Sequence, residues 1–298
     1  MASPAADEID RRRRRVEENL LRFLRRDVCG MPERLRDAVE YSLTGGGKRI
    51  RPVVLLSAGG AVGGDEEELL PFACAVEYVH TYSLVHDDLP AMDDDDYRRG
   101  RPSCHKAFGV ATAILAGDAL LTEAFRVMGE SGLAISDPGR ALAAVAVLAR
   151  AAGAEGMVGG QLLDLSAEGS QGDRADKEEI DLRKTSALLC AAARMGGTLG
   201  RGSGAQVEDL ARYGRALGLL FQVTDDILDV TGSFEEMGKG VAKDKARGKL
   251  TYPGAFGMEA AIARAEDLSR EALSSVSAFG DGGEALRSIV RVVAARRS

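Results

Sequence analysis

Residues 205–229, AQVEDLARYGRALGLLFQVTDDILD, have the sequence of one long helix. Their middle, Ala216 to Val223, is apolar almost all round, which is typical of a helix surrounded by other helices. Apolar residues recur at helical spacing elsewhere too, as at Val16, Leu20 and Leu24, and no stretch alternates with a period of two. The sequence therefore predicts an all-α fold with this segment as a long buried helix.

Glycine-rich turns divide the rest of the chain into pieces of helix length. They occur at residues 45–47, 59–64, 169–172, 200–204 and 280–283. None of them is long enough to link two domains. We therefore predict one domain over residues 1–298. It would be a single large bundle of about ten or more helices around a central cavity, because bundles build their sites between facing helices.

The composition narrows the classes of function. The chain has 298 residues, of which 45% are hydrophobic and 5% aromatic, with no Trp, and this balance favours close-packed helices over a β-sandwich. The formal net charge of −7 argues against a general affinity for nucleic acid. The basic run Arg11 to Arg15 has acidic neighbours, so we interpret it as the solvated face of a first helix.

No secretory or membrane-spanning segment is predicted. The N-terminal residues lack the apolar core of a signal peptide, and no run of about 18 or more uncharged apolar residues occurs. The four cysteines are widely spaced, without a C-x-x-C pair, which suits reduced thiols. We therefore expect a cytoplasmic protein that reaches any lipid-like substrate from solution.

The first chemical cluster is HDDLPAMDDDDYRR, residues 86–99. Its six carboxylates repel one another unless cations intervene, and a hard divalent ion with oxygen ligands is the natural neutraliser. Asp87 and Asp93 are out of phase by about 120° on a helix, so the backbone has to bulge near Pro90 for both to face one ion. A solvated loop is the alternative for Asp94 to Asp96, but the first two aspartates close an apolar helix and need partners.

The second cluster, DDILD at residues 225–229, ends the long helix. Asp225 and Asp229 are four residues apart and share one helix face. A purely structural role is disfavoured because the helix is otherwise apolar. Two such clusters could grip opposite sides of a group of Mg²⁺ ions, and a diphosphate is the ligand that such a pair would hold.

A glycine-rich turn followed by cations, GGGKRIRP at residues 45–52, is the candidate for an anion site. It is not a P-loop, which needs Gly-Lys-Ser/Thr and a preceding strand. Lys48 and Arg51 supply charge and forked donors suited to a diphosphate bound without metal. His80, Arg98 and Arg99 could extend the same pocket.

Together these motifs resemble the trans-isoprenyl diphosphate synthases, the polyprenyl synthetase family, and among them the bacterial-type farnesyl diphosphate synthases. The similar region runs from Leu43 to Gly257. Its motifs, in chain order, are GGKRIRP (46–52), D-D-x-x-x-x-D with RRG after it (87–100), GGQLLD (159–164), KT (184–185), FQVTDDILD (221–229) and GK…KD…K (238–249). The resemblance implies a Mg²⁺-dependent, homodimeric prenyltransferase that joins isopentenyl diphosphate head-to-tail to an allylic diphosphate (dimethylallyl or geranyl).

The resemblance also implies roles residue by residue. The residues implied to bind isopentenyl diphosphate are Lys48, Arg51, His80 and Arg99. The implied ligands of about three Mg²⁺ ions per active site are Asp87, Asp93 and Asp225, supported by Asp88 and Asp229. The residues implied to bind the allylic diphosphate are Arg98, Lys184, Thr185, Gln222, Lys239 and Lys249, with the oxygens of Thr185 and Gln222 towards the developing carbocation. The implied catalytic set is Asp87, Asp88, Asp93, Lys184, Thr185, Gln222, Asp225 and Lys239.

Product length is predicted from the helix before the first cluster. Tyr82 lies five residues before Asp87, about 7.5 Å lower on a helix, with the small Ser83 beside it. In the family the floor of the pocket for the hydrocarbon tail lies here, and an aromatic residue at this position resembles the farnesyl diphosphate synthases. We predict a C15 product, with the C20 product of a geranylgeranyl diphosphate synthase as the alternative.

Three other functions fit the sequence less well. A class I terpene cyclase has no need of Lys48 and Arg51, and it usually lacks a second DDxxD motif. A non-catalytic subunit of a synthase heteromer is expected to have lost part of an aspartate motif, and both motifs are intact here. A metal-buffering structural protein would leave the basic motifs without a role. Prenyl transfer is therefore the predicted function.

Overall fold

Helices form nearly all of the chain that the computed structural model describes, which is residues 4–25, 30–167, 174–231 and 251–295. Their bounds are α1 Pro4–Arg25, α2 Glu33–Leu43, α3 Ile50–Ala61, α4 Glu66–Asp87, α5 Cys104–Phe108, α6 Val110–Gly129, α7 Gly132–Ser136, α8 Pro138–Ala152, α9 Met157–Ala167, α10 Arg174–Asp181, α11 Ala187–Leu199, α12 Gly204–Thr231, α13 Tyr252–Phe256, α14 Met258–Ser275 and α15 Glu284–Ala294. A π-helical turn, Leu182–Ser186, joins α10 to α11, and a 3₁₀ segment, Ser277–Gly283, precedes α15. The predicted all-α fold is confirmed, and one domain over the whole chain stays a prediction.

Helix α12 is the long buried helix that the sequence predicts. It extends the predicted segment by one residue at its start and two at its end, and it packs against α11, α14 and α15. Gly214 and Gly218 allow a very close approach, since a Cβ on them would lie 2.7 Å from Cys190 Cα and 2.5 Å from Ser186 Cα respectively. Backbone-to-backbone packing of this kind fixes the position of the last turns of α12, where the second aspartate cluster lies.

Helix α4 carries the first aspartates. Its N-terminus is capped by Asp65, whose side chain accepts a hydrogen bond from Glu67 N. From Leu69 to Tyr82 nearly every side chain is buried, and the helix packs against α3 and α6. The helix ends at Asp87, so carboxylates close a buried helix as predicted.

A short β-hairpin follows the first aspartate cluster, although the sequence indicates no strand. Tyr97–Arg98 pairs in antiparallel register with Arg101–Pro102. The two linking residues, Arg99 and Gly100, have φ angles of 54° and 77°, as a type I′ turn requires. The expectation of no strand is wrong here because strands of two residues are too short to show a period-two pattern.

The basic run of α1 is not simply a solvated face. Arg12 is 5% exposed; its Nε donates to Glu66 Oε1 at 2.7 Å and its Nη1 to Ser57 Oγ at 3.1 Å. Arg11 and Arg15 also donate to the Glu66 carboxylate, each at 2.8 Å. The prediction of a solvated face is wrong for Arg12, because the first turn of α4 places a carboxylate opposite it; Arg11 remains exposed.

One segment, residues 138–167, has the length and composition of a membrane span, with a mean hydropathy of 1.5. It consists of α8 and α9, which have 15 and 11 residues and are separated by a turn at Gly153 to Gly156. Neither helix reaches the roughly 20 residues that cross a bilayer. Packing against the rest of the protein buries 39% of the most apolar window. The segment does not indicate a membrane span.

Candidate active site

The segment after α4 folds back onto the end of that helix. Asp93 N donates to Asp87 O at 2.7 Å, and Asp95 N donates to Asp88 O at 3.1 Å. Asp94 has a φ of 45°, in the left-handed region that aspartate tolerates better than most residues. The predicted bulge inside a helix is therefore replaced by a helix end and a tight turn. The turn has the effect expected of the bulge, since it returns Asp93 to the neighbourhood of Asp87.

Burial and neighbouring charges perturb the first cluster. Burial raises the pKa of Asp87 to about 6; Lys184 opposes the shift and the charge of Asp93 adds to it. Burial also raises the pKa of Asp88, although Arg98 opposes this by donating from Nε to Asp88 Oδ1 at 2.9 Å. Arg98, which is predicted to bind the allylic diphosphate, is held by Asp88 in this structure.

The second cluster is perturbed in the same direction. Burial raises the pKa of Asp225 to about 7; repulsion from Asp229 and Asp226 adds to the shift and Arg51 opposes it. Carboxylates in this condition are stabilised in their charged form by a nearby cation. Their oxygens are the hard ligands that Mg²⁺ prefers, so the residues present fit the predicted metal.

The two aspartate clusters do not converge on a single ion position. Within the described ranges, three ligand atoms come within 4.8 Å of one another only at Asp94, Asp96 and His105, a group outside the predicted set. There the Lys106 ammonium already lies 2.9 Å from Asp96 Oδ1. The predicted metal ligands therefore need oxygens from a bound ligand to complete any coordination sphere between the clusters.

A cavity of about 480 Å³ lies beside Asp225 and is also lined by cations. Its lining includes Lys48, Arg51, His80, Arg98, Arg99 and Phe221. The Lys48 ammonium lies 6.0 Å from the centre of the Phe221 ring. The residues predicted to bind isopentenyl diphosphate thus all line one cavity, which a carboxylate of the second cluster borders.

The glycine turn is required where Arg99 crosses it. Gly47 has a φ of 130°, and a Cβ at this position would lie 2.6 Å from Arg99 Cζ. Arg99 donates to Gly46 O, which holds its guanidinium over the turn. Arg49, unlike Lys48 and Arg51, is not a predicted diphosphate-binding residue. It is buried and donates from Nη1 to Glu77 Oε1 at 2.7 Å. It ties the turn to α4.

His80 is a neutral residue among the basic residues that line this cavity; these residues, Lys48, Arg51, His80 and Arg99, form the basic wall. Burial lowers its pKa well below the ordinary value, and the charges of Arg51 and Arg99 lower it further. Arg51 Nη1 lies 3.3 Å from His80 Nε2. A guanidinium can only donate, so Nε2 is the acceptor and Nδ1 carries the proton. Burial lowers the pKa of Arg51 to about 10, so this residue stays charged at neutral pH.

The Lys-Thr motif lies in the π-helical turn Leu182–Ser186, a feature that is frequent at functional sites. Gly160 of α9 makes room for this turn, since a Cβ on Gly160 would lie 2.7 Å from Lys184 Cα. The Lys184 ammonium forms an ion pair with Asp164 and also lowers the pKa of Asp87. The sequence interpretation missed Asp164, although the GGQLLD motif ends on it.

Thr185 and Gln222 contact each other, and their predicted roles stay predictions. Thr185 Oγ1 donates to Gln222 Oε1 at 2.9 Å, and Gln222 Nε2 donates to Asp226 Oδ1 at 2.8 Å. Asp226 is also bound by Lys177, a second residue that the sequence interpretation missed. The four-residue spacing of Lys177 and Asp181 signals an ion pair on α10, but it does not reveal the contact with α12.

Tyr82 is buried on α4 where the floor of the tail pocket is predicted, with 6% of it exposed. Its ring meets the His86 ring edge-on with 5.8 Å between centres, and His86 Nε2 lies 3.0 Å from Ile114 O of α6. The Ser83 hydroxyl donates to His80 O at 2.9 Å. The aromatic ring therefore lies on the side of α4 that faces α6, below the first aspartates.

Some predicted residues cannot be placed on this framework. Lys239, Lys249 and the terminal residues 296–298 lie outside the described residues. The others come from the glycine turn before α3, from α3, from α4 and the turn that follows it, from the hairpin, from the π-helical turn and from α12. These elements place one acidic group at the end of α4, another on α12, and a basic group at the start of α3.

The fold and site define a class of protein: a helical enzyme with two aspartate clusters and a cationic cavity suited to diphosphates. The sequence profile described as polyprenyl synthetase matches residues 32–284. The chain belongs to the polyprenyl synthetase family, and it is a prenyltransferase that forms trans products.

Curated plant relatives and solved bacterial structures agree with this assignment. The chain is 48% identical over 252 residues to the Arabidopsis thaliana "heterodimeric geranylgeranyl pyrophosphate synthase large subunit 1, chloroplastic", covering 83% of this chain and 68% of the relative. It is 46% identical to the A. thaliana geranylgeranyl pyrophosphate synthase 11, covering 90% and 76%. An FPP/GFPP synthase from Zymomonas mobilis superimposes with a TM-score of 0.86 at 35% identity, covering 99% of this chain and 100% of that one. A geranyltransferase from Legionella pneumophila gives 0.86 at 36% identity, covering 98% and 97%.

Proposed function

We propose that the enzyme condenses isopentenyl diphosphate with dimethylallyl and then geranyl diphosphate, head-to-tail and with Mg²⁺, and releases farnesyl diphosphate. The observation that carries the product length is the buried ring of Tyr82 below Asp87, which would limit the tail to C15. Its location in the cytoplasm stays a prediction.

The basic wall would bind isopentenyl diphosphate. Arg51 and Arg99 offer forked donors, Lys48 a mobile ammonium, and His80 a neutral N–H, and all of them line the cavity of about 480 Å³. Because Asp225 borders the same cavity, this arrangement would set the homoallylic substrate against the allylic one.

The two aspartate clusters would hold the allylic diphosphate through Mg²⁺. Asp87, Asp93 and Asp225 are the proposed ligands, with Asp88 and Asp229 in support. Bound metal would supply neutralisation of the charge that develops on the leaving diphosphate. Lys184, held between Asp164 and the first cluster, would add a fixed positive charge on the same side, as preorganised electrostatic catalysis requires.

Thr185 and Gln222 would stabilise the allylic cation that forms when the substrate ionises. When the C1–O bond of the allylic diphosphate breaks, positive charge spreads over the allyl group. The lone pairs of the Thr185 and Gln222 oxygens, held by their mutual hydrogen bond, would face that charge. The new C–C bond then forms between this C1 and C4 of isopentenyl diphosphate, and the proton lost from C2 goes to the released diphosphate.

A C20 product is the second candidate, and the names of the curated relatives favour it. The plant relatives that are 46% and 48% identical are named as geranylgeranyl pyrophosphate synthases. The Zymomonas mobilis protein of similar structure, in contrast, is named as an FPP/GFPP synthase. Resemblance therefore supports either length, whereas Tyr82 favours the shorter one.

The test is to size the products of the purified protein. Incubation with Mg²⁺, isopentenyl diphosphate and, separately, the C5, C10 and C15 allylic diphosphates is expected to yield C15 from the first two and almost no elongation of the third. Accumulation of C20 would select the second candidate. No elongation of any primer would refute both.

We further propose that the enzyme is a homodimer paired through α6. Val110 and Ile114 lie one turn apart on this helix and are 44% and 41% exposed, and the neighbouring Leu115 is 57% exposed. An apolar face of this kind is typical of an interaction surface. Sedimentation of the parent and of Ile114→Lys should give a dimer and a smaller species respectively. Equal masses would contradict this surface.

A further inference from the structure

A buried ion cluster joins α10 to α12 behind the second aspartate motif. The Lys177 ammonium lies 2.7 Å from Asp181 Oδ1 and 3.0 Å from Asp226 Oδ2. The three residues are 4%, 3% and 3% exposed. Charges so far from water persist only when they are paired and hydrogen-bonded. Lys177 is therefore the counter-ion of both carboxylates.

Asp226 is held from three directions. Its Oδ1 accepts from Gln222 Nε2 at 2.8 Å. Its Oδ2 accepts from Tyr252 N at 2.8 Å and is the oxygen nearest Lys177. With both oxygens engaged in the protein interior, Asp226 is a structural anchor inside a motif whose other aspartates are proposed metal ligands.

This anchor decides which way the Gln222 amide points. An amide oxygen against the Asp226 carboxylate would be repelled, so the NH₂ group faces Asp226 and Oε1 faces away. Oε1 then accepts from Thr185 Oγ1 at 2.9 Å. A chain of contacts thus runs from Lys177 through Asp226 and Gln222 to Thr185.

We propose that Lys177 is a positioning residue for prenyl transfer: its ammonium holds Asp226, and Asp226 fixes the Gln222 amide so that the oxygens of Gln222 and Thr185 are set for the developing cation. The proposal rests on the proposed roles of Thr185 and Gln222. Without the ammonium, the two buried carboxyl groups would lose their shared counter-ion, and Asp226 would move and release the amide.

The kinetic test compares substitutions at the two ends of the ion cluster. Lys177→Met is expected to lower kcat by about 10- to 100-fold, the cost of a catalytic group displaced by about 1 Å. The KM for isopentenyl diphosphate should stay within about threefold, because its proposed site lies on α3, α4 and the hairpin. Asp181→Asn leaves Lys177 paired with Asp226 and should keep kcat within about threefold. Lys177→Arg should recover most of kcat.

A matched control and a second background separate positioning from folding. Glu178→Gln changes the next residue of α10, whose carboxylate Oε1 lies 3.4 Å from Arg264 Nε, and should leave kcat unchanged. If Lys177→Met does not fold, Lys177→Met/Asp181→Asn removes one of the two buried acids and carries the same expectation for kcat. A folded variant of either kind with the parental kcat overturns the proposal. Equal losses in Lys177→Met and Asp181→Asn also overturn it, because they indicate a structural ion cluster only.

A readout without substrate distinguishes this inference from the proposed function. In ¹⁵N-labelled protein the side-chain amide of Gln222 should exchange its hydrogens slowly in the parent and at least about tenfold faster in Lys177→Met. Unchanged exchange overturns the proposal whatever the enzyme's activity. Failure of the parent to elongate any primer refutes the proposed function and leaves this structural measurement to decide the positioning role.

Discussion

The backbone N–H of Asp93 donates to the backbone carbonyl of Asp87 at 2.7 Å, across the turn that ends α4. This single bond brings the seventh residue of the motif back to the first, so that an apolar helix ends in a pair of carboxylates. Across the site, Asp225 is raised in pKa to about 7 by burial and by its neighbours. Both clusters are therefore in a state that a divalent cation would relieve.

Asp225→Asn should separate stability from activity. The substitution removes repulsion from Asp229 and Asp226, so the metal-free variant should unfold at the same temperature as the parent or a higher one. Its kcat should fall by about 100-fold or more, because a group that stabilises the leaving charge is lost. Thermal unfolding with and without Mg²⁺ plus inorganic diphosphate should show stabilisation of the parent but not of Asp225→Asn. Asp281→Asn, at an exposed position, is the control and should be stabilised like the parent. Equal stabilisation of Asp225→Asn by Mg²⁺ and diphosphate would contradict the assignment.

Tyr82→Ala should lengthen the product. Removing the ring opens the space between α4 and α6 below the first aspartates, so C20 should appear where the parent stops at C15. The fold should lose about 3 kcal/mol, as is usual when a large buried side chain is truncated. Product chromatography checks the length. Tyr97→Ala, at a site that is 65% exposed, should leave the product unchanged. Identical products from Tyr82→Ala and the parent would refute the hypothesis that Tyr82 forms the floor of the tail pocket.

Gly160→Ala should slow the reaction by moving the Lys-Thr turn. A Cβ at this position would lie 2.7 Å from Lys184 Cα, so the π-helical turn has to shift. We expect kcat to fall by about tenfold or more, together with a weaker apparent affinity for the allylic diphosphate. Gly129→Ala, where a Cβ meets nothing within 4 Å, should behave as the parent. Steady-state kinetics would measure kcat and the apparent KM of both variants. Equal constants for Gly160→Ala and Gly129→Ala would contradict the role of Gly160.

Glu66→Gln should weaken the fold at neutral pH but not in strong acid. Burial alone would raise the pKa of Glu66, but hydrogen bonds from Arg11 and Arg12 outweigh it and hold the pKa at about 2, below its ordinary value of 4.5. A lowered folded-state pKa contributes stability above pH 4.5 that is lost as the pH falls towards 2. Allowing for solvent screening, we expect a loss of about 1–2 kcal/mol at pH 7.

Denaturant unfolding between pH 7 and pH 3 would measure this dependence. The difference between parent and Glu66→Gln should shrink steadily on acidification. Glu68→Gln, an exposed change in the same helical turn, serves as the control and should show little difference at any pH. A pH-independent loss in Glu66→Gln would show that the carboxylate charge is not the stabilising feature.

The elements that repeat a pattern over many residues could be predicted from the sequence. The apolar run from Ala216 to Val223 is long enough to define α12, and glycines mark its neighbours. The basic residues around Lys48 and Arg51 could be grouped because a short motif keeps them adjacent on one turn. Their meeting with His80 in one cavity follows from α3 packing against α4.

The features that the sequence does not reveal depend on contacts between distant segments. Arg12 resembles its four arginine neighbours in the sequence, yet it is buried against Glu66, a residue 54 positions away. Lys177 likewise resembles a surface lysine, and only the packing of α10 on α12 makes it a buried counter-ion. The two-residue strands at Tyr97 and Arg101 carry no periodicity at all. Local patterns therefore identify elements, whereas tertiary contacts decide which charges are buried.

The opposed charges around the cavity have a kinetic consequence. The chain carries a formal net charge of −7, so its overall charge does not attract a diphosphate. Near the cavity the guanidinium groups of Arg51 and Arg99 dominate, while Asp225 lies at its border. A local field of this kind attracts an anion only over about one Debye length, roughly 8 Å at physiological salt. Capture should therefore be selective for the cavity mouth, and the charge gradient inside should turn the diphosphate towards the arginines and the hydrocarbon tail away from them.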